Sequence, residues 1–311
     1  MHNSGITLIK HPQYYYADGQ IVFQCEGYLY RLYKGILMQK SKLFKAMLSL
    51  PQPHWQGGGD TTAGSTKAAL DGATDETAIN LSESHTSTEW DHLLSFLFPV
   101  WTGEERPVDT LIDILNLGSF YEVEEAREFA IQTLSVRQDF RPALRLNAAR
   151  RNRILTWVEP AMRQLFQASL ADLSDSDAKL IGPETLLDVA CTKAKIETHR
   201  KRLALFPPKV VHSAYLCDDK EGCTHAWNTA WWGQYDRPGV AKAILQLQKP
   251  LPGREVVERV QAINVEGMTF SCKRQTLENL QKEHVKGMFS AEDRLIQNVI
   301  DHIYKHLEQS M

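Results

Sequence analysis

Cys217, Cys223 and His225 fall within a nine-residue stretch, as Cys-x5-Cys-x-His, with Cys272 further along the chain and His212 just before it. Soft thiolates and imidazole are the donors that a tetrahedral structural Zn²⁺ takes, and Gly222 would let the chain turn between the first two thiols. The ligand set read from this spacing is Cys217, Cys223, His225 and Cys272, with His212 in reserve. An ion held there would staple the C-terminal region, since binding free energy at such a site is folding free energy. The spacing is wider than a two-to-four-residue knuckle, and no second compact pair follows. A second reading therefore stands beside the first: small buried thiols packed next to a tryptophan-rich core. No cofactor other than structural zinc is expected.

Trp227, Trp231 and Trp232 recur at i, i+4 and i+5, the spacing of one helix face. Such a face is either buried core or, if exposed, a partner surface. Arg141, Arg145, Arg150, Arg151 and Arg153 form one basic run, and Lys193, Lys195, Arg200, Lys201 and Arg202 a second. Both read as solvated or salt-bridged helix faces. Nucleic-acid binding would need further phosphate-reaching charge with base-reading partners beside it. No catalytic residue is predicted, because the chain has no G-x-S-x-G elbow, no H-E-x-x-H and no phosphate-binding G-x-x-x-x-G-K-[ST] loop. Gly57-Gly58-Gly59 precedes no helix start, Cys191 reads as a structural thiol on the apolar side of a helix, and His11, His54, His85 and His284 have no partners at motif distance.

The composition bounds what these residues serve. With 311 residues, 43% hydrophobic and 23% charged, the chain can fill two or three cores, which excludes disorder of the whole. Lys plus Arg number 35 against 38 Asp plus Glu, a net charge of −3, so there is no global pull toward nucleic acid or an anionic membrane. Five cysteines make no dense framework, and Met1 to Ile9 lack a signal peptide's basic and apolar regions. No apolar run approaches the roughly 20 residues that cross a bilayer. These features together predict an intracellular protein, cytoplasmic or nuclear, with reduced thiols and no membrane partner.

The elements that position the candidates follow from periodicity. Residues 18–33 alternate as a β-hairpin turning at Glu26-Gly27, and Lys34 to Leu50 change to helical period, with Ser41 placed to cap a second short helix. Pro51 to Thr77 is rich in Gly, Thr, Ser and Ala and reads as a mobile insertion within one domain. A short strand at 78–81 leads to a helix capped by Ser87 or Thr88, then helices near 108–118 and 122–135. Residues 140–206 read as wholly helical, with Pro142 and Pro183 in first turns. Phe206-Pro207-Pro208 marks a boundary near 207. A helix is expected at 238–248, and Ser290-Ala291-Glu292-Asp293 opens an amphipathic helix at the end of the chain.

Asp18-Gly19-Gln20-Ile21-Val22-Phe23 through Tyr28-Leu29-Tyr30-Arg31-Leu32-Tyr33-Lys34, then Ser41 with Phe44 three residues later, resembles the opening of a BTB/POZ domain. Ile79 with Leu81, followed by Trp90, Leu93, Leu94 and Phe96-Leu97-Phe98, is similar to that family's third strand and next helix. The likeness covers about 115 residues, and the chain as a whole resembles fungal BTB proteins. It implies an α+β N-terminal BTB/POZ-like domain, a small sheet flanked by helices, followed by a mainly helical region. The domains would be 1–137 with the insertion at 51–77, a BACK-like helical extension at 138–206, and a mainly helical Cys/Trp-rich region at 207–311.

The resemblance further implies a non-enzymatic interaction module that homodimerises and scaffolds a protein partner. Carried onto this sequence, the dimer face would include Asp18, Tyr33, Lys34 and Ile36. Asp18 also reads simply as a turn residue before a strand, and Tyr33 and Lys34 as solvated strand-end residues. A cullin scaffold of a ubiquitin ligase is one partner class the family offers. Members that recruit it often carry a hydrophobic-x-Glu element after the second helix, and here Leu50-Pro51-Gln52-Pro53 has no Glu. Two rivals stand: a transcriptional regulator whose zinc-stabilised C-terminal region binds DNA, and an enzyme of unknown chemistry in that same region.

Overall fold

The computed structural model describes residues 8–50, 71–99, 104–233, 239–246, 251–263, 265–285, 287 and 289–309. The chain packs as two compact units, one running to Arg141 and taking in Ala148–Ile154, the other made of Pro142–Asn147 and the chain from Leu155 onward.

The first unit is α+β. Strands β1 (Ile9–Tyr15), β2 (Ile21–Cys25), β3 (Tyr28–Leu32) and β4 (Ile79–Asn80) form a mixed sheet in the order β1-β3-β2-β4. β2 and β3 are the expected hairpin, antiparallel with Phe23 opposite Tyr30, while β1 runs parallel to β3 and β4 parallel to β2. At the hairpin turn Glu26 takes a positive φ of 50°. Its carboxylate accepts hydrogen bonds from the backbone N–H and hydroxyl of Ser87 at 3.0 and 2.6 Å, which hold it below the usual carboxylate range. The hairpin thus supplies an acceptor to the first turn of helix α3 (Ser87–Leu97), where an anion is favoured. The N-cap of that helix is Thr86, in place of the expected Ser87 or Thr88. It forms a reciprocal box with Glu89.

Helices α1 (Lys34–Lys40) and α2 (Lys42–Ser49) follow the hairpin, and α4 (Val108–Phe120) and α5 (Glu124–Val136) follow α3. Ser41 caps α2 as its position predicts, accepting from Phe44 N–H at 2.9 Å and donating to the Tyr121 carbonyl at 2.5 Å. The core is aromatic: Phe44 stacks on Tyr121 with ring centroids 4.8 Å apart, and Phe23 and Trp90 meet Phe44 edge-on. Such offset and edge contacts add to area burial.

The insertion expected at 51–77 is described only from Asp71; residues 51–70, Gly57-Gly58-Gly59 among them, lie outside the described residues. Asp71 to Thr77 are ordered. Gly72 carries φ +74°, and its carbonyl accepts from Val22 N–H at 2.8 Å, so the end of the insertion hydrogen-bonds to β2. A Cβ there would press on Ile21 and Ile79 at 3.1 Å, on top of the strain of that φ.

The second unit is helical. It takes the first half of α6 (Pro142–Asn152) and then α7 (Val158–Gln167), α8 (Asp175–Ile181), α9 (Pro183–Leu205), α10 (Lys220–Trp232), α11 (Val240–Ile244), α12 (Gly253–Gln261), α13 (Phe270–Val285) and α14 (Ala291–Gln309). Pro142 and Pro183 open α6 and α9 from first-turn positions. Lys193 on α9 donates to the Phe166 and Ala168 carbonyls at 2.8 and 2.5 Å, which places a cation at the C-terminal end of α7. Arg200 forms a bidentate pair with Glu292 that ties α9 to α14. Phe206-Pro207-Pro208 does end α9, yet the chain beyond it remains in the same unit. Cys191 is exposed, contrary to its reading as a buried thiol. α9 turns Val189, Thr192 and Ile196 inward, and at 100° per residue position 191 falls on another side. Among the described residues no helix is long and apolar enough to cross a membrane.

Candidate metal centre

The segment after α9 has no regular secondary structure and carries His212. It then turns through Cys217 and enters α10, where Asp219 caps the helix by accepting from Gly222 N–H at 2.7 Å. Cys223 occupies the first turn of α10 and Cys272 the first turn of α13. Two helix N-termini therefore deliver thiols to one place.

His212, Cys217, Cys223 and Cys272 have their donor atoms within 4.8 Å of one another. Cys217 Sγ lies 3.7 Å from Cys223 Sγ and 3.6 Å from His212 Nδ1. A tetrahedron with Zn–S and Zn–N bonds of ordinary length has S···S and S···N edges of about 3.8 and about 3.6 Å. Those two edges are already of that size. The surrounding donors suit thiolates as well: Thr269 N–H points at Cys223 Sγ and Ser213 N–H at Cys272 Sγ, each at 3.3 Å. Thr224 Oγ1 lies 3.3 Å from His212 Nε2 and donates its own proton to the Lys220 carbonyl. Its oxygen is thus left to accept from Nε2–H, which frees the Nδ1 lone pair for the cluster.

The thiols also differ in acidity. Burial pushes both Cys217 and Cys223 up. At Cys223 the hydrogen bonds with the Thr269 side chain and backbone and with the neighbouring thiols outweigh it and leave the group below its ordinary value. Cys217 is pushed up to about 12, by burial first and then by Cys272 and Cys223.

Three of the four residues read from the sequence as ligands come together here. His225 does not: it is exposed, and the reserve residue His212 stands in its place. The reason is helical phase, since His225 lies two residues past Cys223 on α10 and so faces nearly the opposite way. The Thr224 and Thr269 contacts were not foreseen; their only trace in the sequence is a threonine next to one cysteine and three residues before another.

The other predicted residues divide. Asp18, Tyr33, Lys34 and Ile36 gather at one edge of the first unit: Asp18 is exposed, the other three are half-buried, and the Tyr33 ring stacks on Tyr16 at 4.7 Å beside Phe98. Trp227 and Trp231 are each 2% exposed and cannot form the partner surface entertained for them; only Trp232, at 45%, reaches solvent. Their indole N–H groups donate inward, to the Pro208 and Ala204 carbonyls. The basic run on α6 is not free charge, because Arg141, Arg145, Arg150 and Arg153 all engage other groups of the chain. In the second run Lys193 caps α7, Arg200 pairs with Glu292 and Lys201 with Glu197. No family model, curated protein or solved structure matches the chain.

Proposed function

We propose that this chain is a non-enzymatic, intracellular protein-interaction module whose first unit is a BTB/POZ-like domain that forms a two-fold homodimer and whose second unit presents a partner-binding scaffold. The observation that carries the proposal is the order of elements in the first unit. An antiparallel hairpin leads into a helix pair, a short strand returns parallel to the first hairpin strand, and three helices follow. That order is the one the resemblance of residues 18–134 implies. The edge holding Asp18, Tyr33, Lys34 and Ile36 supports a dimer face there, since half-buried aromatic and aliphatic side chains around a polar rim are typical interface composition. Light scattering on the full chain at micromolar concentration tests this. The mass of two chains is expected, and a strict monomer overturns it. A cullin scaffold as partner is tested by adding purified cullin to the same measurement.

A second reading, favoured by the His212, Cys217, Cys223 and Cys272 geometry, concerns the second unit. These residues form a closed four-ligand structural Zn²⁺ site. With no open coordination position its role is to fasten the segment 206–219 to α10 and α13. Metal analysis of the purified chain should return about one Zn²⁺ per chain. Less than a tenth of that would leave the thiols as ordinary core residues.

A further inference from the structure

Where α9 ends, the second unit encloses a cavity of about 650 Å³. Its floor is apolar and fully buried, made by Trp231 of α10, Leu280 of α13 and Phe289. One wall is Phe206-Pro207-Pro208, where the two prolines fix their own φ. The indole N–H of Trp231 donates to the Ala204 carbonyl at 2.9 Å and that of Trp227 to the Pro208 carbonyl at 2.8 Å. These two bonds fasten the end of α9 and the turn after it to α10, so the cavity is framed without a ligand. They also use up the polar atom of Trp231, leaving its ring faces to pack.

The rim is of one sign. Arg202 and Lys209 border the cavity and are exposed, and no carboxylate lines it among the described residues. Their neighbours Arg200 and Lys201 are neutralised on the spot by Glu292 and Glu197, but neither Arg202 nor Lys209 has an ion-pair partner among the described residues. The positive edge continues past the mouth, where a second concavity of about 310 Å³ shares Arg202 and His199 and adds Lys195, again without an acid among its described residues.

A mostly apolar concavity of roughly 300–1,000 Å³ with a few convergent polar groups is the usual form of a small-molecule site. We propose that this cavity binds a small amphipathic anion, a single-chain carboxylate whose apolar tail lies on Trp231, Leu280 and Phe289 and whose carboxylate is met by Arg202 and Lys209. Charge selects the class: a neutral amphiphile would leave the two cations unanswered, and a cationic one would be repelled. The forked guanidinium of Arg202 matches a carboxylate bidentately. The site shares no residue with the cysteine cluster and gives the module a ligand-dependent surface.

Isothermal titration of the full chain with dodecanoate below its micellar concentration, and with dodecanol as the uncharged counterpart, tests the assignment. Dodecanoate is expected to bind one per chain and about tenfold or more tighter than dodecanol. The paired substitutions Arg202→Gln and Lys209→Gln, at exposed positions without ion-pair partners among the described residues, should erase that preference while leaving the melting temperature unchanged. Asn279→Trp, which fills the cavity from its half-buried lip, should abolish binding of both. Absence of dodecanoate binding, equal affinity for the two probes, or dodecanoate affinity unchanged by Asn279→Trp would each overturn the proposal.

Discussion

The Tyr33 hydroxyl donates to Asp18 Oδ1 at 2.8 Å, joining the turn before β2 to the start of α1. That bond draws together two of the four residues assigned to the dimer face and raises the Tyr33 phenol above its ordinary value, through Asp18 first. The sign follows: a raised pKa means the native state favours the protonated phenol, so this contribution is complete below about pH 10 and is lost as pH climbs through the native value. Asp18→Asn should lower the Tyr33 titration seen by ultraviolet absorbance. Ile36→Asp, which leaves that bond alone, should convert the dimer to monomer at micromolar concentration with an unchanged circular dichroism spectrum. A dimer that survives Ile36→Asp would place the interface elsewhere.

Ser41 holds a larger share of the fold than its size suggests. It is 1% exposed and serves two backbone groups, capping α2 through Phe44 N–H while answering the Tyr121 carbonyl at the end of α4. Ser41→Ala removes the cap and strands that buried carbonyl. Caps are worth about 1 kcal/mol and an unanswered buried acceptor about as much again, so a loss of about 2 kcal/mol is expected in urea unfolding. Ser41→Gly, which lacks the hydroxyl as well, should not recover it.

Much of this first unit was legible in the sequence because its signals are local. The alternation of Ile21, Phe23 and Cys25, the turn at Glu26-Gly27, and the Ser41 to Phe44 spacing each depend on neighbours within a few positions. β1 was not legible. Its residues are mostly exposed, with only Tyr14 buried, so no alternation marks it. It is held instead by backbone pairing with β3 and by His11, whose Nδ1 accepts from Tyr14 N–H while its Nε2 sits 3.2 Å from Asp91, 80 residues away. The cysteine cluster shows the same limit. Adjacency in the chain favoured His225, but helix phase and the path of the segment after α9 decided for His212, and neither is visible in residue spacing alone.

That exchange of histidines makes the sharpest test of the metal site. His212→Ala should lower zinc retention and His225→Ala should leave it intact, whereas the ligand set read from spacing alone predicts the reverse. Chelation should destabilise the wild-type chain by about 4 kcal/mol relative to free Zn²⁺ held ~1,000-fold above the dissociation constant. Cys223→Ser and Cys272→Ser should become insensitive to chelator. If His212→Ala and Cys272→Ser keep wild-type zinc content, the four residues are not a site.

His85 carries the last prediction. Its ring lies beside Phe120 and Tyr121 in the first unit, with centroids 5.0 and 5.4 Å away, and its Nε2 is buried with no hydrogen-bond partner among the described residues. Burial pushes its pKa down, Glu89 opposes this in part, and Arg151 adds to it. A histidine whose native value is depressed resists protonation only while folded. Its contribution to stability is therefore whole above the unfolded value of about 6.5 and is lost as pH falls toward the native one. Urea unfolding of the wild-type chain should weaken as pH falls below about 6.5. His85→Leu removes both the titrating group and the unanswered nitrogen, so it should flatten that part of the profile and hold or raise stability at neutral pH. A profile as steep in His85→Leu as in the wild type would assign the acid sensitivity to other groups.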